Sequence, residues 1–370
     1  MDKELTIAVL PGDGIGIEVI EASLQVMDAV ARRIPQARLQ YQWLDAGAAH
    51  YQASGEALPA ATLSACEQAD AILLGAMGLP DVRYDNGTEI SPQLDIRDHF
   101  ELYAGVRPIR ACAGLPGVLA DPRAAQIDLV LVREQTEGLF FDRGKRRIEN
   151  GVAYDTMAIS ERGTRRVSEY AFRLAARRGA RPGADKPRVT VVDKANVLGS
   201  MAWFREIFMR VAADHPGVQA DAAYIDATAL NLVRQPWQFD VMVTENQFGD
   251  ILSDLCAALI GGMGMAPSAD IGERHAMFQP AHGSAPDIAG RGIANPTATL
   301  LSVAMMLDWL ADTHRLPALA SAADLLDRAV RQAFAGGKLL PGEFGGKAGT
   351  AQIASAVAEQ VAGLPLRDAA

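Results

Sequence analysis

The sequence predicts an α/β protein in which two domains share one central sheet. Three observations predict it. Apolar runs of strand length alternate with stretches of helical period. A glycine turn, "GDGIG" at residues 12 to 16, joins the first run to the first helix. No low-complexity or hinge-like linker separates the two groups of alternating elements, so the lobes are expected to share strands.

In order, "LTIAVLPGDGIGIEVIEASLQVMDAVARRI" reads as buried strand, glycine loop and amphipathic helix. "ARLQYQWLDA" reads as a second strand, "LPAATLSACEQAD" as a helix and "AILLGAMG" as an apolar strand. This alternation implies a parallel sheet covered on both faces. The second group comprises "IDLVLVRE", the helical "TRRVSEYAFRLAARRG", the strand "RVTVVDKA", the helix "SMAWFREIFMRVAADH", and the strands "QADAAYIDAT" and "FDVMVTEN". The remainder reads as mainly helical, "ANPTATLLSVAMMLDWLAD" most clearly.

The bulk properties exclude several classes. The chain of 370 residues is 49% hydrophobic and 22% charged, ordinary for a globular protein of two or three domains. A net charge of −10 leaves no excess of cations to displace phosphate counterions, which argues against nucleic acid. The basic clusters "DRGKRR" and "RLAARRGAR" read as solvated faces. Cys66, Cys112 and Cys256 follow no metal or disulfide spacing and fit a reducing compartment. A strand begins almost at residue 1, and no apolar run is long enough to span a bilayer. The expectation is a soluble, cytoplasmic protein.

Two motifs are ambiguous alone. The turn "GDGIG" sits where a dinucleotide fingerprint would, but Ile17 replaces its third glycine and Asp45 comes late for its acid. A tight turn needing glycine dihedrals is the plainer reading. In "FGDILSDLCAALIGG", Asp250 and Asp254 lie one turn apart and repel. Capping of a helix N-terminus by Asp250 would account for one of them.

Other charges end apolar strands, where open α/β sheets hold ligands. Arg133 ends "LVRE", Lys194 follows "VVD", and Asp226 follows "AYI". Arg97 and Arg107 stand ten residues apart in "DIRDHFELYAGVRP". Three arginines suit two or three carboxylates, each bound through a planar fork. Three aspartates without His or Cys make a hard oxygen site suited to Mg²⁺ or Mn²⁺. A cation between Asp250 and Asp254 would answer their repulsion.

With "LPGDGIGIEV", "LGAMGLP", "LYAGVRP", "VREQTEG", "DKANVL", "FDVMVTENQFGDILSD", "AHGSAPDIAGRGIANPTA" and "EFGGKAGTAQI" in order, the chain resembles the isocitrate/isopropylmalate dehydrogenase family of metal-dependent β-decarboxylating dehydrogenases. The resemblance implies that family's two-domain fold rather than a Rossmann fold. Residues 1–102 with 261–370 would form a large, cofactor-side domain, and 103–260 a small domain for dimerisation, metal and substrate. It implies NAD- and divalent-metal-dependent oxidative decarboxylation of a 3-substituted (R)-malate. Arg97, Arg107 and Arg133 would hold its carboxylates. Asp226, Asp250 and Asp254 would bind Mg²⁺ or Mn²⁺. Lys194 would take the hydroxyl proton. Lys194 and Asp226 would come from the partner subunit of a homodimer, so each site is shared. His282, Gly283, Ser284, Ala285, Asp287, Asn295 and Asn196 would contact NAD, with Asp287 and Ile288 where NADP-dependent relatives carry a lysine and a tyrosine.

Departures from the pattern sharpen the expectation. Phe140 stands in place of the family's proton-donating tyrosine, and Gln279 in place of the glutamate of "EPxHGSAPD". Phe140 opens a second reading, oxidation without efficient decarboxylation. A third is a non-catalytic regulatory homologue, against which the retained charged residues speak. Specificity in the family lies just before the first arginine. Ser91 and Gln93 are nearer the polar version found in isocitrate enzymes than the leucines of bacterial isopropylmalate enzymes, which implies a polar 3-substituent.

Overall fold

The structure, a computed structural model, describes residues 3–145 and 147–367. Its strands are β1 (Lys3–Gly12), β2 (Ala37–Trp43), β3 (Ala71–Ala76), β4 (Ala104–Arg110), β5 (Asp128–Glu134), β6 (Arg147–Glu149), β7 (Val152–Tyr154), β8 (Arg188–Asp193), β9 (Gln219–Tyr224), β10 (Val241–Thr244), β11 (Pro267–Ile271) and β12 (Ala276–Pro280). Ten form one sheet, in the order β2-β1-β3-β12-β11-β4-β5-β10-β8-β9, while β6 and β7 form a separate hairpin. The two groups of elements thus share a sheet, as the missing linker implied.

The sheet is mixed, not parallel throughout. β2, β1, β3 and β12 are parallel neighbours, and so are β5, β10, β8 and β9. Between them β11 is antiparallel to both β12 and β4, and β4 is antiparallel to β5. β4, β11 and β12 do not stand out in the sequence, for a physical reason. β11 and β12 are joined by a four-residue turn rather than a helix, and β4 and β11 carry Pro108 and Pro267, which blur a strand pattern. These three strands form an antiparallel seam between the two parallel halves of the sheet.

Helices cover both faces. Glu161–Arg178 and Gly199–Ala213 bury Phe172, Phe204 and Phe208 over the β5-to-β9 half. Thr297–His314 and Pro317–Ala335 pack with Gly16–Ala31 over the other half. Among the described residues no helix is long and apolar enough to cross a membrane. The cluster "RLAARRGAR" is largely ion-paired, Arg177 to Asp312 and Arg178 to Asp128 at 3.0 Å. Of "DRGKRR", Arg146 lies outside the described residues.

The turn "GDGIG" is structural. Asp13 is buried, and its carboxylate accepts hydrogen bonds from the backbone N–H groups of Ala48, Ala49 and Gly78, each at 2.8 Å. It thereby satisfies two of the orphan donors at the start of the Ala48–Ser54 helix. Gly14 has φ 58°, and a Cβ there would stand 2.0 Å from the Ser284 carbonyl oxygen. Only glycine permits that approach.

Candidate active site

Strand register assembles the site on one face of the seam. In β11 and β4, Asp270 lies opposite Gly105; in β4 and β5, Gly105 lies opposite Arg133. Arg107, two residues along β4, shares their face because side chains alternate. The Asn246–Leu259 helix covers this face and brings in Asp250 and Asp254.

Asp270 is fully buried and serves as a hub. Its carboxylate accepts from Arg97 Nε at 2.8 Å, Arg107 Nη1 at 3.3 Å, Gln135 Nε2 at 2.9 Å and Gln279 Nε2 at 2.7 Å. Burial pushes its pKa up, but Arg97 and Arg107 overcome that and hold it down at about 2. Burial likewise lowers Arg107, against the pull of Asp270.

Arg133 donates from Nε and Nη2 to Asn246 Oδ1 at 2.9 and 2.7 Å, and from Nη1 to Asp250. Burial brings its pKa down to about 10, opposed by Asp250. The Phe140 ring lies 5.7 Å from its guanidinium carbon. The Asn246–Leu259 helix is capped by Glu245, whose carboxylate accepts from Phe248 N at 2.7 Å and Gln247 N at 3.0 Å. The capping explanation for Asp250 therefore fails, because the helix begins four residues earlier and Asp250 engages Arg133 instead. Asp254 has its pKa raised by burial and by the Asp250 charge beside it.

Among the described residues no three His, Cys, Asp or Glu side chains gather as a metal site. Asp226 stands apart, in the first turn of the Ile225–Arg234 helix rather than at a strand end, and pairs with Lys194 at 2.9 Å. Lys194 follows β8, two strands from β5, on the order of 10 Å along the sheet. Asn196 is exposed beside it. Asp250 and Asp254 suit a hard cation nonetheless, being two adjacent carboxylates with one raised by the other's charge.

The segment after β12 offers a second set of groups. Ser284 is buried, its hydroxyl donates to the Gly78 carbonyl, and its own carbonyl accepts from Ile15 N at 2.8 Å. His282 Nδ1 lies 2.9 Å from the Gly283 carbonyl, while its buried Nε2 has no partner. Burial lowers its pKa. Nothing stands within 4 Å of a Cβ built on Gly283, and Asp287 is exposed. An orphaned buried imidazole nitrogen beside open backbone fits a hydrogen-bonding ligand such as a nucleotide. Ala285 has φ 37°. Asn295 is engaged within the protein, accepting from Thr297 and donating to Glu343.

Ser91 precedes the Pro92–His99 helix and makes no capping bond, and the buried Gln93 Oε1 has no partner. Ile90 turns into an apolar cluster with Tyr51, Leu79 and Tyr84. The sequence alone does not single out Asp270, Asn246 and Gln135 as site residues. Asp270 left a signal, an acid inside the buried run "APSADIG", where a carboxylate must find partners. A separate cavity of about 1050 Å³ is lined by Arg110, Asp128, Arg178, Arg188 and Trp237 at the opposite ends of β5, β8 and β10. Its charges are paired within the protein.

A mixed α/β sheet with converging buried arginines and adjacent carboxylates makes a site for a polyanionic small molecule. The sequence profile of the isocitrate/isopropylmalate dehydrogenase family matches residues 6–361, and the chain belongs to that family. It is 39% identical over 360 residues to the 3-isopropylmalate dehydrogenase of Methanothermobacter thermautotrophicus, covering 97% of this chain and 99% of that protein. It is 40% identical to the 3-isopropylmalate dehydrogenase of Escherichia coli (strain K12), covering 90% and 91%. The isocitrate dehydrogenase of Methylococcus capsulatus superposes with a TM-score of 0.83 at 35% identity, covering 97% of this chain and 99% of that one.

Proposed function

We propose that the protein catalyses NAD- and divalent-metal-dependent oxidative decarboxylation of a 3-substituted (R)-malate. The observation that carries this reading is the convergence of Arg97, Arg107 and Arg133 beside Asp250 and Asp254. Arg97 and Arg107 keep unclaimed Nη groups with which to fork substrate carboxylates. Arg133 orients a third carboxylate and fixes Asp250. His282 and the open backbone at Gly283 receive the nucleotide, and Asp287 accepts from ribose hydroxyls while repelling a 2′-phosphate.

When bound, the metal on Asp226, Asp250 and Asp254 supplies a Lewis acid, and NAD supplies the hydride acceptor. Lys194 Nζ takes the hydroxyl proton as the carbinol is oxidised. The arginines hold the β-carboxylate until it leaves as CO₂. The resulting enolate needs a proton, which Phe140 lacks.

The site is completed by a second copy. Exposed apolar residues lie beside both halves of the divided site: Val197 at 67% near Lys194, Leu230 at 57% one turn after Asp226, and Ile251 at 60% exposure next to Asp250. Such a patch fits an isologous homodimer in which the partner's Lys194 and Asp226 reach the arginines. Mixing Lys194→Ala with Arg133→Ala subunits then restores activity, because one of the two mixed sites is intact. No rescue after confirmed exchange contradicts sharing.

Ser91 and the unpartnered Gln93 Oε1 favour a polar 3-substituent. A panel of malate, tartrate, isocitrate, homoisocitrate and 3-isopropylmalate, followed by NADH formation with Mn²⁺, tests this. The expected order places isocitrate or homoisocitrate first. Preference for 3-isopropylmalate, as the relatives' names suggest, overturns the polar assignment alone.

A further inference from the structure

Asp270 lies on the antiparallel seam and bonds residues from four other segments. Arg97 belongs to the Pro92–His99 helix, Arg107 to β4, Gln135 follows β5, and Gln279 belongs to β12. Each arginine gives Asp270 one end of its fork, Arg97 its Nε and Arg107 its Nη1. The remaining donors are left to face a ligand in one fixed orientation. Without the carboxylate, two neighbouring guanidinium groups would repel and turn apart. Gly105 lies opposite Asp270, and a Cβ there would stand 2.6 Å from the Gln135 side chain. Bare backbone therefore lets Gln135 reach across β4 to Asp270.

Gln279 completes the arrangement. It pairs with Ser268 in β11, placing it diagonally across from Asp270 on the same face. A carboxylate at 279 would press against a fully buried carboxylate, and two such groups cannot both ionise. An amide instead donates to Asp270 and leaves its charge to the arginines. The departure from the "EPxHGSAPD" pattern has its reason here.

We infer that Asp270 is a positioning residue that presets Arg97 and Arg107 for the substrate's carboxylates, and that it works only with a neutral side chain at position 279. The inference rests on the proposed role of those arginines, so the test includes Arg107→Lys. The charged groups facing Asp270 are Arg97 and Arg107, with Arg133 on the neighbouring strand also within its field; Gln135 and Gln279 are neutral.

Steady-state kinetics on the best substrate of the panel, with full-length Mn²⁺-loaded enzyme, compares four variants. Asp270→Asn raises KM by about 10- to 100-fold, the range for lost charge-assisted hydrogen bonds, with kcat changed much less. Gln279→Glu raises KM increasingly as pH rises from 6 to 9, as the added acid ionises. The double variant Asp270→Asn/Gln279→Glu, which restores one carboxylate, recovers most of the lost KM. If Asp270→Asn fails to fold, the double variant decides alone. A folded double variant with near-native KM supports the inference; one that is unfolded, or stays as impaired as the single variant, overturns it. An unchanged KM in Asp270→Asn also overturns it. Arg107→Lys separates the levels. Raised KM there with native KM in Asp270→Asn sinks only the positioning role, while native KM in Arg107→Lys sinks the carboxylate reading beneath it.

Discussion

Gly249→Ala pits helix propensity against the site. Gly249 lies inside the Asn246–Leu259 helix, where alanine gains about 1 kcal/mol over glycine. Its missing Cβ is occupied by Arg133, however. A Cβ at 249 would stand 2.6 Å from Arg133 Cγ and 2.7 Å from Arg133 Cβ. Arg133 Cβ is held by β5 and cannot retreat, so helix or guanidinium must move. Overpacking of this kind costs about 1–3 kcal/mol. Displacing the guanidinium from Asn246 Oδ1 removes charge-assisted bonds at 2.9 and 2.7 Å, about 1.5–3 kcal/mol. The losses exceed the gain, and the net is destabilisation by roughly 1.5–5 kcal/mol. A misaimed arginine costs a further 10- to 100-fold in kcat/KM, at about 1.4 kcal/mol per tenfold. Chemical denaturation and initial rates on the same preparation measure both. A Gly249→Ala enzyme that is more stable and fully active would refute the tight packing of Arg133 against this helix.

Three further outcomes follow from the site. Asp250→Asn weakens Mn²⁺ binding and cuts turnover strongly, and chelator-treated enzyme is inactive until metal is restored; full activity in metal-free enzyme contradicts the aspartate site. NAD is preferred over NADP by kcat/KM, because Asp287 and Ile288 offer a 2′-phosphate no cation; equal use of both removes that role for Asp287. Asp270 is depressed to about 2 in the folded protein against about 3.9 unfolded, so its stabilisation is present above pH ~4 and is lost as pH falls toward 2. That amounts to roughly 2–3 kcal/mol, and acid titrations of stability lose one proton's slope in Asp270→Asn; an unaltered slope contradicts the ion-paired hub.

The legible part of the sequence was its periodicity and its stranded charges. Buried runs such as "AILLGA" and "RVTVVD" became β3 and β8, and Arg97, Arg107, Arg133, Asp250 and Asp254 met as a cluster. The antiparallel seam was not legible, because β4, β11 and β12 carry proline, charge and tight turns where a helical crossover would announce a strand. Asp270 was hidden for the same reason. Its partners lie 9 to 173 residues away and meet only through register across three strands. Asp226 read as a strand end because "AYIDATA" stays apolar through the strand-to-helix junction.

Counting CO₂ and NADH together, with the preferred substrate, NAD and Mn²⁺ and again after chelation, tests the central claim most directly. The account predicts that both form one to one with metal, that neither forms without it, and that Phe140→Tyr raises kcat where enolate protonation limits turnover. A placed general acid contributes about 10²–10⁴-fold to its own step. NADH running well ahead of CO₂ in the native enzyme would contradict oxidative decarboxylation and leave a dehydrogenase that releases its ketone.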